Sequence, residues 1–295
     1  ISAKSLRDAR LMNTWKKENK KKILFVTESL ARGGMERVLV SIANILVERD
    51  FDVTIVCYYP TDFLLPDLNE KVHYVYKPRK AFPLLRKTPY IKRYYKEKNF
   101  YWEHRANART LYKHYVGKER FDVEIGFYRG PSIKIISGST NKNSKKLAWV
   151  HTDFKLCNPN SITDWFNDIH DVKKAYNKMD NIVCVSDKAK ESFEEVIGCG
   201  DKTVTVYNMI PAKKIIEKST DLISLSKDKF TIVTVGRLIP DKRHDRLLSA
   251  TKRLNDEGYS FNVWIVGGGR HEDELKKYCQ DNNLKNVTFT GMQEN

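Results

Sequence analysis

Arg237 and Lys242 stand five residues apart in the run FTIVTVGRLIPDKRHDRLLSA, residues 230–250. Their types and spacing suit one task, holding a diphosphate. Arginine grips phosphate oxygens with a planar fork, and lysine adds a point charge. The apolar, β-branched run from Phe230 to Val235 predicts a buried parallel strand, and Gly236 lets the backbone turn sharply at its end. Beyond Pro240 a helix is predicted, with Leu247, Leu248, Thr251 and Leu254 on its inward face. Two cations at the carboxyl end of a parallel strand, beside a helix N-terminus, form an anion site.

Three further places have the composition of sites. Gly33 and Gly34, in SLARGGMERVL (29–39), fall between a predicted strand and helix. Backbone N–H groups and a helix dipole there meet a phosphate or a sugar, or the glycines simply permit a tight turn. Glu36, in the first helical turn, reads as a cap or dipole partner. The pattern is not G-x-G-x-x-G, and the next strand ends in Cys57-Tyr58-Tyr59 without an acidic residue. Both points argue against a nicotinamide cofactor. His151 and Asp153, in WVHTDF (149–154), follow an apolar strand at its carboxyl end. A neutral imidazole there donates to a sugar hydroxyl or phosphate oxygen, or is structural. No second His or Cys lies near enough in sequence to suggest a metal. Gly268 belongs to VGGGRHEDEL (266–275), where a close backbone approach and a plain turn both fit. His244 and His271 read as polar loop residues.

The elements that must position these groups alternate along the chain. Strands are predicted at 22–27, 52–57, 71–76, 122–127, 146–150, 181–186 and 203–208. Met35, Val38, Leu39, Ile42 and Leu46 recur with a helical period. A helix over 187–197 has Ser186 as its N-cap. The alternation implies βαβ units and a mostly parallel sheet. Residues 1–21 read as a disordered or loosely helical leader, and 211–229 as a polar connector. Strands at 230–235, 261–266 and 286–291 then resume the pattern with two helices. The expected architecture is α/β: two Rossmann-like, doubly wound parallel-sheet domains, 22–215 and 216–295, the second incomplete. The start at Ile1 suggests a processed or partial sequence.

The 295 residues suffice for two cores, and no stretch approaches the ~18 apolar residues of a spanning helix. No secretory signal is evident. Five scattered cysteines suit a reducing cytoplasm, with Cys57 and Cys184 expected in core packing. The net charge of +16 is concentrated: Lys77 to Arg120 holds 14 Lys plus Arg against 3 Glu, with nine aromatics interleaved. A solvated helical face, a surface for anionic lipid and a nucleic-acid site all fit that composition. The last has charge alone behind it, so no nucleic-acid partner is expected.

Six short pieces in order complete the reading: G-G-M-E-R (33–37), W-V-H-T-D (149–153), V-C-V-S-D (183–187), G-R-L-I-P-D-K (236–242), V-G-G-G (266–269) and F-T-G-M-Q-E-N (289–295). With these the chain resembles retaining glycosyltransferases of family 4, which have the GT-B fold. It is similar in style to bacterial enzymes that build capsular or exopolysaccharides. The resemblance implies transfer, with retention, from a nucleotide-diphosphate sugar, UDP-linked in expectation, to a lipid-linked or polysaccharide acceptor. It implies no cofactor and no metal, and an acceptor at the inner membrane face; a cytoplasmic protein, with 77–120 as its surface for an anionic membrane, is the accompanying expectation from the composition. Arg237 and Lys242 would bind the diphosphate in an interdomain cleft. Gly33, Gly34, Gly236, Gly268 and Met292 would line the donor. His151 would contact the donor sugar, and Asp153 and Arg129 would lie on the acceptor side. The family's E-x7-E motif is not reached before Asn295, so residues 1–295 alone are expected to transfer little sugar. A non-hydrolysing nucleotide-sugar 2-epimerase and a non-catalytic nucleotide-sugar-binding homologue are the alternatives.

Overall fold

The computed structural model describes residues 20–78, 104, 106–220 and 229–293. The chain divides into two compact units, Ile1–Ile210 and Pro211–Asn295. In the first, the elements are β1 (Lys22–Thr27), α1 (Gly34–Glu48), β2 (Asp52–Cys57), β3 (His73–Tyr76), α2 (Ala108–Tyr115), β4 (Val123–Gly126) and α3 (Pro131–Ile136). They continue with β5 (Lys145–Val150), α4 (Pro159–Ile162), α5 (Ile169–Asn177), β6 (Asn181–Cys184), α6 (Asp187–Val196) and β7 (Thr203–Thr205). The seven strands form one sheet in the order β3-β2-β1-β4-β5-β6-β7. All six pairings are parallel, with Ile23 opposite Val53 on one side and Val123 on the other.

The strands read as continuous apolar runs because both faces are covered. Phe25, Ile55, Ile125 and Phe127 pack against Leu39, Val40 and Ala43 of α1. Leu24, Val26, Val56 and Ala148, one position along, pack against α2, α3, α5 and α6 on the opposite face. Each fully buried Leu, Ile or Phe adds about 1.5–3 kcal/mol. The chain leaves β1 toward one face, through α1, and leaves β4 toward the other, through α3. The carboxyl ends of β1 and β4 therefore flank the topological switch point of the sheet, where such folds collect ligands. Ser186 caps α6 as predicted, its hydroxyl accepting from Ala189 N–H. Cys57 and Cys184 are buried.

The second unit contains α7 (Ala212–Lys218), β8 (Thr231–Val235), α8 (His244–Asp256), β9 (Asn262–Val266), α9 (Glu272–Asp281) and β10 (Val287–Gly291). Its smaller parallel sheet runs β10-β9-β8. Leu248 and Leu275 pack on Val263 and Ile265 across one face.

Two expectations are corrected. The connector 211–229 contains α7, since A-K-K-I-I-E-K is made largely of good helix formers. The strand after Phe230 is not buried: Val233 is 50% and Val235 77% exposed. Among the described residues β8 pairs with β9 alone, and the helices pack on one face of its sheet, so its other set of side chains is bare. Residues 1–19 of the leader and most of the basic stretch 77–120 lie outside the described residues. Within the described part of that stretch, α2 buries Leu111, Tyr112 and Tyr115. Among the described residues no helix is long and apolar enough to cross a membrane.

Candidate functional site

The loop after β8 is built to hold its shape. Gly236 N–H donates to Val266 O at 3.0 Å, Leu238 N–H to Gly268 O at 3.0 Å, and His271 N–H to Leu238 O at 3.0 Å. Leu238 is itself fully buried. These bonds zip residues 236–238 to residues 266–271, the loop after β9. Glycine is required along that seam. A Cβ on Gly267 would lie 2.0 Å from the Gly236 carbonyl oxygen, and its φ of +136° is already outside the range of other residues. A Cβ on Gly269 would lie 2.4 Å from the Leu238 oxygen. Two of the three consecutive glycines thus serve a close backbone approach, here to the neighbouring loop of the same chain. Gly268 borders Met292, whose Cγ would stand 3.2 Å from an added Cβ, while Gly236 faces open space.

Arg237 and Lys242 project from this loop, exposed, and neither makes an ion pair among the described residues. The intervening Pro240–Lys242 forms one 3-10 turn. Arg243 next to them is already engaged: its guanidinium donates to both oxygens of Asp245, at 3.0 and 2.8 Å. His244 corrects its sequence reading. It is 4% exposed, opens α8, and places Nε2 3.4 Å from the Arg237 carbonyl oxygen. His271 pairs with Glu274 at 2.6 Å.

In the first unit, Gly33 is the extended N-cap of α1, and the Glu36 carboxylate folds over it. A Cβ on Gly33 would meet Glu36 Oε2 at 2.0 Å, whereas Gly34 faces open space. With a carboxylate at that helix terminus, a sugar hydroxyl fits better there than a phosphate.

His151 follows β5 on the α1 face. Its ring lies 4.6 Å from that of Phe127 and stacks on Trp149 at 6.3 Å and 9°. Neither ring nitrogen is hydrogen-bonded. Burial pushes its pKa down to about 4, with the Phe127 backbone working the other way. The imidazole is therefore neutral at ordinary pH, with one donor and one acceptor, both on buried nitrogens. Asp153 is committed locally, its Oδ1 accepting from Lys155 N–H at 3.0 Å. Arg129, in the loop after β4, reaches Thr152 Oγ1 at 3.3 Å and Ser161 Oγ at 3.4 Å.

Sequence reasoning missed Tyr128. Its half-buried phenol has a raised pKa, first through burial and then through the charges of Glu28, Asp164 and Glu36, opposed by Arg129. The signal was present as F-Y-R-G-P at the end of a strand, with proline at the first helical position. The structure thus brings His151, Thr152, Tyr128 and Arg129 to one rim of the first sheet. It gathers Gly236, Arg237, Lys242, Gly268 and Met292 at the corresponding rim of the second.

Residues 32–214 match the family model described as Glycosyltransferase Family 4, and residues 216–295 match Glycosyl transferases group 1. An uncharacterized glycosyltransferase of Haemophilus influenzae is 23% identical over 257 residues, 87% of this chain and 64% of its own length. The GPI3 subunit of the Saccharomyces cerevisiae phosphatidylinositol N-acetylglucosaminyltransferase is 25% identical over 163 residues, 52% of this chain and 35% of that one. The chain thus spans under two thirds of these curated relatives. Among solved structures, Anabaena Alr3699/HepE in complex with UDP and glucose superposes with a TM-score of 0.62 at 15% identity, covering 93% of this chain and 70% of that one.

Proposed function

This chain belongs to glycosyltransferase family 4, and from that premise we propose that it serves the transfer of a glycosyl group from a nucleotide-diphosphate sugar. The observation that carries the reading is the pair Arg237 and Lys242, exposed and without ion-pair partners among the described residues, on a loop fixed by backbone hydrogen bonds. Exposed cations on a fixed backbone suit a ligand that brings its own negative charge. As the bond from the sugar's anomeric carbon to the diphosphate breaks, charge grows on the departing phosphate oxygen. Arg237 takes that charge on its fork, and Lys242 adds a nearby point charge. His151, neutral, exchanges hydrogen bonds with a sugar hydroxyl and adds no charge of its own. Gly34 gives backbone access to the sugar. Gly268 and Met292 border the nucleotide, Asp153 and Arg129 the acceptor.

The family resemblance supports retention of configuration and an acceptor that is lipid-linked or a polysaccharide, at the inner membrane face. The Anabaena protein, with the same fold, has been solved with UDP and with UDP-glucose, which supports UDP as the first nucleotide to try. No cofactor or metal is proposed. The test is a calorimetric titration of the chain with UDP. Arg237→Ala and Lys242→Ala each weaken binding by about tenfold or more, the value of a charge-assisted hydrogen bond. Undiminished UDP binding in both variants overturns the reading.

A further inference from the structure

The first unit carries a cation, Arg129, whose charge no carboxylate neutralises among the described residues. Arg129 makes no ion pair with any carboxylate among the described residues; its guanidinium donates to the hydroxyls of Thr152 and Ser161, at 3.3 and 3.4 Å, and lies 5.7 Å from the centre of the neutral Tyr128 ring. Its Nε is buried and has no hydrogen-bond partner. A half-buried charge held by two long contacts to neutral hydroxyls is costly to keep for folding alone. A second unsatisfied group lies nearby. The Tyr176 hydroxyl on α5 is without a partner on a side chain 1% exposed, and Arg129 is the charged side chain acting most strongly on it.

Three elements therefore converge on the guanidinium that the loop after β4 carries: the loop after β5 through Thr152, α4 through Ser161, and α5 through Tyr176. The acidic groups of this rim form no ion pair with it among the described residues. Asp153 is turned onto its own loop, while Glu28, Glu36 and Asp164 act on the Tyr128 phenol without pairing with Arg129. Thr152, which touches Arg129, adjoins His151 in sequence, so an anion here would sit beside the rim assigned above to the sugar.

We infer that Arg129 seats an anionic group of the acceptor, a phosphate ester, with Thr152 and Ser161 beside it. The acceptor is then a hydroxyl-bearing molecule that carries its own phosphate close to the attacking oxygen. This deepens the transferase reading and rests on it. A guanidinium fork matches two oxygens of one phosphate, which a lysine at the same place does not.

The experiment uses the full chain carrying Arg237→Ala and Lys242→Ala, which removes the donor cations, and methyl phosphate as the probe, followed by calorimetry. The expected result is saturable binding at one site, weakened by at least roughly tenfold in Arg129→Gln and by less in Arg129→Lys. Circular dichroism checks that each variant is folded, and Arg129→Lys supplies the comparison where Arg129→Gln does not fold. Absence of binding in the parent, or equal binding in Arg129→Gln, overturns the inference. Failure of the donor reading shows separately, as UDP binding that Arg237→Ala and Lys242→Ala leave intact. Sedimentation with phosphatidylglycerol vesicles identifies the source. Binding to vesicles lost in Arg129→Gln assigns the phosphate to a lipid, and methyl phosphate binding without it assigns the phosphate to a soluble glycan.

Discussion

Acidification tests the environment of His151 directly. Its ordinary pKa of 6.5 falls to about 4 in the folded chain, chiefly because burial disfavours the charged ring. Between these values the unfolded chain holds a proton that the folded chain refuses. Stability therefore rises with pH through this window and is lost as pH falls through it. Each pH unit over which the difference is complete corresponds to ~1.4 kcal/mol. From pH 7 to pH 5 the unfolded histidine becomes almost fully protonated and the folded one remains almost fully neutral. The first unit then loses about 2 kcal/mol on this account, and about 3 kcal/mol by pH 4. The assay is urea unfolding at pH 7 and pH 5, with His151→Gln as the matched control, since glutamine keeps a donor and an acceptor but does not titrate. The control sheds this part of the acid sensitivity and keeps the contribution of every other group. An NMR titration of the His151 ring gives the pKa itself. Equal loss of stability in the two proteins, or a ring that titrates near 6.5, refutes the reasoning that the Phe127 and Trp149 packing keeps it neutral.

Gly269→Ala drives a methyl group against the Leu238 carbonyl and endangers the bonds that join the two loops, Leu238 N–H to Gly268 O and His271 N–H to Leu238 O. The expected loss is about 1–3 kcal/mol in urea unfolding, with weaker UDP binding, and an unchanged variant would show that the seam does not hold the cations in place. Tyr112→Phe removes the phenol that donates to Glu124 Oε1 at 2.8 Å, on a carboxylate that is 0% exposed. Its cost is about 1–3 kcal/mol, read by the same unfolding assay, and a neutral result would mean that water replaces the phenol.

Much of this molecule was legible because the information is local. The predicted strands 22–27 and 52–57 coincide with β1 and β2, since an apolar run between turn signals declares itself. Ser186 was legible as a cap because the bond it makes spans three residues. The residues of the cation loop were visible for the same reason, their spacing being fixed along the chain. Strand ends were less so. The run 203–208 pairs only over Thr203–Thr205, where β6 is there to pair with it.

The sequence by itself determined the alternation of strands and helices, the presence of the glycines, and Arg237 and Lys242 on a turn after a strand. The tertiary structure decided what those residues meet. Gly267 and Gly269 serve the Gly236 and Leu238 carbonyls some thirty residues back, a contact with no trace in local pattern. His244 is buried under its own loop, although its neighbours in sequence are charged. His151 is neutral because Phe127, from the end of β4, covers its ring. β8 looks buried in sequence yet has one bare face among the described residues, because hydrophobicity states what a strand can bury and the neighbouring elements state what it does bury. Local propensity acts over a few residues, while burial and charge environment are set by whichever distant segments the fold brings together.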